Sequence, residues 1–96
     1  MKRVRWAREA RSDLAGIDAF YRPLDFDFAQ RAITSAVAAG RFLLDWPRAG
    51  QLIEDAPPLR KWRIARTPYS LIYREESDGI RVLRVVHAAQ DWRFES

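Results

Sequence analysis

Lys61, Arg63 and His87 are the residues whose types best suit chemistry on a phosphate. Lysine and arginine can stabilise the charge that builds on phosphoryl oxygens, and an imidazole can take the proton from a 2′-hydroxyl. Together they are the materials of a metal-free ribonuclease. His87 is the only histidine, closing the β-branched run of "VVHAAQDW", residues 85–92. The competing reading is a solvated strand face and a strand-end imidazole bonded to a backbone carbonyl. For His87 the structural reading is favoured, and a histidine-based nucleophilic site is not supported, since no motif supplies its nucleophile and orienting acid.

Other chemistries are poorly served. The chain has no cysteine, which excludes disulfides, thiolate zinc sites and cysteine nucleophiles and fits a reducing compartment, with the cytoplasm as the default. One histidine with scattered acids makes no metal-ligand cluster. No cofactor motif is present. The basic start "MKRVRWAREARSDL" lacks the apolar core of a signal peptide, and no apolar run reaches the roughly 20 residues that span a bilayer, so no membrane association is expected. Net charge is +4, and it is segregated. Lys2, Arg3, Arg5, Arg8 and Arg11 crowd the start, "RKWRIAR" adds a second basic cluster, and residues 12–55 are net acidic. Such patches suit a phosphate backbone or an acidic protein segment, or are simply solvated surface.

The elements that must position these residues follow from the hydrophobic periods. Ninety-six residues suit one domain, 1–96, small enough for a partner to matter to its stability. Val4 and Trp6 alternate with Arg3 and Arg5 as a short first strand. Ala10, Leu14, Ile17 and Phe20/Tyr21 recur at helical spacing from Ala7 to about Tyr21, and Pro23 ends that helix. Asp25 or Asp27 can cap a second helix, whose apolar side is Phe28, Ala29, Ala32, Ile33, Ala36, Val37, Gly40, Leu43 and Leu44. The small residues of "AITSAVAAG" let the two helices approach closely as a hairpin. Pro47 stops the second helix and Gly50 turns the chain. "RKWRIAR", "YSLIYR" and "IRVLRVVH" read as three strands of an antiparallel meander, with "EESDG" as an acidic turn and "EDAPPLR" as a connector. The expected fold is α+β, in the order β-α-α-β-β-β, with a helical hairpin on one face of a small, mainly antiparallel sheet.

Unbroken alternation along these strands puts Trp62, Ile64, Tyr69, Leu71, Tyr73, Leu83, Val85 and His87 under the helices. The opposite face then collects Lys61, Arg63, Arg74 and Arg84 over an apolar floor of Ile72, Val82 and Val86. Trp6, Trp46, Trp62 and Trp92 read as core or hairpin anchors rather than base-stacking platforms.

The order of elements, with "ARSDLAGIDAFY", "DWPRAG", "RIARTPYSLIYRE" and "GIRVLRVVHAAQDW" at their positions, resembles the RelE/ParE superfamily of bacterial type II toxins, in its ParE-like branch. RelE-like members cut messenger RNA on the ribosome, whereas ParE-like members poison DNA gyrase. Alignment on "YSLIY" sets Lys61 and Arg63 on two nuclease positions of the RelE pattern, but Ser70, Gln90 and Ser96 where that pattern has two arginines and a tyrosine. Each missing transition-state cation typically removes on the order of 100-fold in rate. The resemblance therefore implies a toxin that inhibits gyrase by binding and is neutralised in a hetero-oligomeric complex by a cognate ParD-like or other small DNA-binding antitoxin, through which most DNA contact is made. Lys61, Arg63, Ile72, Arg74, Val82, Arg84 and Trp92 are the expected target- or antitoxin-binding residues. The alternatives are a ribosome-dependent messenger RNA endoribonuclease using Lys61, Arg63 and His87, and a non-toxic binding module that keeps the fold. One departure from the ParE-like pattern stands between His87 and "DW", where Ala88, Ala89 and Gln90 replace the arginines common there.

Overall fold

The computed structural model describes residues 1–88. Its elements are β1 (Arg3–Trp6), α1 (Arg8–Tyr21), α2 (Phe26–Asp45), β2 (Gln51–Leu52), β3 (Arg60–Arg63), β4 (Tyr69–Glu76) and β5 (Gly79–His87). They form an α+β fold, with the helical hairpin laid on a five-stranded sheet of order β1-β5-β4-β3-β2. β1 runs parallel to β5, and the remaining neighbours are antiparallel. The parallel pair arises because the hairpin carries the chain across one face before the meander returns beside β1.

Local signals account for most boundaries. Asp25 caps α2, its carboxylate accepting from the Phe28 N–H at 3.0 Å, which satisfies one of the donors left over by the first turn. α1 begins without a side-chain cap at Ala7. Ala32, Ala36, Ala39 and Gly40 are buried on the inner side of α2. A methyl group added to Gly40 would stand 3.2 Å from Trp6 Cζ2 and 3.4 Å from Val4 Cγ1, so the small residues serve the seating of α2 on β1 as well as the hairpin.

The main core joins Ala10 and Ile17 of α1 and Ala36 and Leu43 of α2 to Ile64, Leu71, Tyr73, Ile80, Val82 and Val85 of the sheet layer. Tyr73 is fully buried. Its hydroxyl donates to the Pro47 carbonyl at 2.8 Å and accepts from the Gly50 N–H at 2.9 Å, and burial raises its pKa above the ordinary phenol value. A Cβ on Gly50 would fall 2.5 Å from that hydroxyl. Gly50 is therefore required for close approach to Tyr73, and the chain continues directly into β2, an edge strand where the sequence pattern suggests only turn and connector.

Three further expectations are corrected. Trp46 is 62 % exposed rather than an anchor, because α2 ends at Asp45 and leaves it on the outside. Val37 of α2 is also exposed. The strand drawn from "RKWRIAR" ends at Arg63, since Arg66 adopts φ 61° in a turn. Trp92 lies outside the described residues.

Candidate functional site

The face of the sheet away from the helices gathers most of the residues singled out above. β3 sets Lys61 opposite Ile72 and Arg63 opposite Ser70 of β4, and directly paired residues in a ladder point to the same side. Lys61 and Arg63 are both exposed. The Arg63 Nε–H donates to the Thr67 carbonyl at 2.9 Å, which holds the guanidinium against the turn that follows its strand. Arg74, two residues beyond Ile72 on β4, shares this face.

The apolar floor is a second small core rather than an open surface. Leu59, Ile72 and Val86 are buried together with Ile53 and Leu83 packed against them. Ile72 is fully buried, so it supports the cations around it and offers no area of its own to a partner.

A β-bulge changes the membership of the face. The register steps from Ile72↔Arg84 to Tyr73↔Val82, which leaves Leu83 as the extra residue. Ahead of the bulge Val82 faces the helices and is fully buried. The expectation that Val82 lines the open floor is therefore wrong, and Leu83 takes that place. Arg84 pairs with Ile72 but is not available on the open surface. It reaches round the edge of β5 to Asp13 of α1, donating from Nε at 2.8 Å and Nη2 at 3.1 Å, while the same carboxylate accepts the Val85 N–H at 2.9 Å. The hydrogen bonds and charge of Asp13 raise the Arg84 pKa further. The bidentate pair ties α1 to the part of β5 that β1 does not reach.

His87 lies on the other side of the sheet from Lys61 and Arg63. It is paired with Tyr69, and the two rings meet edge-on with centroids 5.3 Å apart. Tyr69 packs against the main core, and its pKa is pushed up to about 12 by burial and by its hydrogen bond with Tyr21. The strand backbones thus stand between the imidazole and the two basic side chains. The imidazole therefore does not share the face that carries Lys61 and Arg63.

The bulge also adds residues that unbroken alternation assigned to the helical side or left out. Arg81 comes to the open face, opposite Arg74 on one flank and Arg5 on the other. Glu76 accepts from the Arg81 Nε–H at 3.0 Å and from Arg74 at 3.2 Å and 3.3 Å, and Arg5 pairs with Asp78 at 2.5 Å. Arg81, then Arg74, hold the Glu76 carboxyl below the usual carboxylate range, and Arg5 does the same for Asp78. Among the described residues no group of three or more metal-ligating side chains comes together. Nor is any helix among them long and apolar enough to cross a membrane.

Comparison with known proteins fixes the family. The model of the ParE toxin of the type II toxin-antitoxin system, parDE, matches residues 4–92. The chain belongs to the ParE toxin family. The ParE match takes in both helices, β2 to β5 and β1 from Val4 onward. A solved structure described as the chromosomal ParDE TA system from P. aeruginosa is similar at 28% sequence identity and a TM-score of 0.77, covering 91% of this chain and 96% of that one. No curated protein matches the chain. The ParE-like order of strand, helical hairpin and meander, expected from the sequence, is the fold observed.

Proposed function

We propose that this ParE-family chain is a toxin that arrests growth by binding DNA gyrase in the cytoplasm, without cleaving RNA, and that a cognate ParD-like antitoxin holds it inactive in a hetero-oligomeric complex. The observation that carries the binding reading is the position of His87. It pairs with Tyr69 on the helical side, while Lys61 and Arg63 lie on the opposite face. Gyrase as the target follows from the resemblance to the ParE-like branch, and the similarity to a ParDE system supports an antitoxin partner.

In this reading Lys61, Arg63 and Arg74 meet the target or the antitoxin directly, and Ile72 and Val82 act from beneath by holding the strands in register. Arg84 keeps α1 in place. Antitoxin acids would face the cations, and most DNA contact of the complex would be made by the antitoxin. The test is to add purified chain to gyrase in a supercoiling assay and, separately, to map cellular messages by primer extension after induction. Loss of supercoiling with intact messages is the expected result. Codon-linked cleavage with unimpaired supercoiling would replace the proposal with the nuclease alternative, and absence of growth arrest would replace it with the non-toxic module.

A further inference from the structure

The open face carries a row of arginines of which this function uses only Arg74. Arg5, Arg81 and Arg74 stand abreast on β1, β5 and β4. With neighbouring strands about 4.8 Å apart, the row spans roughly 10 Å. Like charges set directly opposite each other destabilise a sheet, so the row is an unfavourable arrangement that its acids only partly offset. Arg3, opposite Gly79 on the same face, adds a fourth arginine against the two carboxylates of Glu76 and Asp78.

The layering points outward. The Glu76 side chain is 21% exposed, beneath Arg74 at 43% and Arg81 at 33%, so the acid orients the guanidiniums from below. The donors left over are Nη1 of all three arginines, Nη2 of Arg81 and Nε of Arg5, none of which has an acceptor among the described residues; the Arg5 Nε is buried, and the Nη groups are the ones a ligand could meet. Arginine forks fixed in this way match the oxygens of a phosphate.

We propose that this arginine row binds the phosphodiester backbone of duplex DNA. Its Arg74 end lies about 13 Å along β4 from Ser70, the partner of Arg63, and about 7 Å from Ile72, the partner of Lys61. A duplex carries one charge per roughly 3.4 Å along each strand, so a row of about 10 Å laid along one strand would face about three phosphates. A flexible acidic peptide holds no comparable density in fixed positions. The inference rests on the proposed function, since an inhibitor of gyrase works where that enzyme holds duplex DNA.

The test is fluorescence anisotropy of the full chain with a labelled duplex of about 20 base pairs, across roughly 50 to 200 mM salt and with no gyrase present. Arg74→Gln/Arg81→Gln should weaken binding at least about 10-fold at the lowest salt. It should also flatten the log–log salt slope by about 1.8, or 0.9 for each phosphate no longer neutralised. Arg11→Gln/Arg41→Gln removes the same charge from exposed positions on the helices and should change affinity less than about 3-fold. Should the first variant fail to melt cooperatively, Arg74→Gln/Glu76→Gln/Arg81→Gln removes the stranded acid as well and should show the same loss. Equal losses in the sheet and helix variants, no binding at the lowest salt, or competition by a polyglutamate peptide as effective as by unlabelled duplex would each overturn the proposal. Because gyrase is absent, failure here leaves the supercoiling result standing, and a failed supercoiling assay leaves the DNA measurement standing.

Discussion

The sheet face under the helices and the face away from them are cut from the same strands, and they solve different problems. Under the helices, Leu71, Tyr73, Ile80, Val82 and Val85 are buried against Ala36, Leu43 and their neighbours, and the Tyr73 hydroxyl enters this layer with both a donor and an acceptor partner. On the other face a small floor of Leu59, Ile72 and Val86 supports two kinds of cation: Lys61 and Arg63 are exposed, while Arg5, Arg74 and Arg81 are half-buried and tied to acids. The first face is built for stability. The second tolerates like charges side by side, which a surface built for stability alone would avoid. That difference supports placing the working surface on the open side of the sheet.

Substitutions can sharpen that contrast. The largest loss should come from Tyr73→Ala, at about 3–5 kcal/mol, through an emptied core and a released Pro47–Gly50 loop. Denaturant unfolding measures it. Ile72→Ala opens a cavity in the smaller core and should cost about 2–3 kcal/mol. If it equals or exceeds Tyr73→Ala, the ranking of the two faces is wrong. Asp13→Ala strands Arg84 and the Val85 N–H and should remove about 1–3 kcal/mol, with hydrogen exchange rising first where α1 meets β5.

Acid should act on the open face. Glu76 and Asp78 have folded-state pKa values below their unfolded ones, so their contribution is complete above about pH 4.3 and is lost as pH falls through the folded values. The melting temperature should therefore drop on acidification below about pH 4. Glu76→Gln should make that drop shallower. The smallest effect belongs to Lys61→Ala, which should shift stability by less than about 0.5 kcal/mol because the side chain is exposed, while weakening toxicity if the open face is the working surface.

The order of elements was legible because the periods are clean. Leu14 and Ile17 mark α1, Asp25 caps α2, and the alternation of Leu71 and Tyr73 names the side of β4 that faces the helices. The membership of the open face was less legible for a specific reason. A bulge at Leu83 reverses the phase of β5, and a period-two reading carried across it misplaces Val82 and Leu83 and puts Arg81 under the helices. "IRVLRVVH" contains no glycine or proline to announce it. Arg5 joins the face only through the parallel pairing of β1 with β5, a contact between the two ends of the described chain that local pattern cannot supply. The short β2 was missed because Gly50 reads as a turn until its close approach to Tyr73 is seen. The tie of Asp13 to Arg84 spans the chain from α1 to β5 and has no signal in either segment.

Growth arrest by His87→Ala, measured beside thermal melting and antitoxin binding, tests the central claim most directly. If the chain acts by binding and His87 serves its pairing with Tyr69, the variant should lose about 1 kcal/mol of stability and remain toxic wherever it is folded. A nuclease using this imidazole as its base would lose on the order of 100-fold in cleavage with its fold intact. A folded, antitoxin-binding His87→Ala protein with no toxicity would contradict the account.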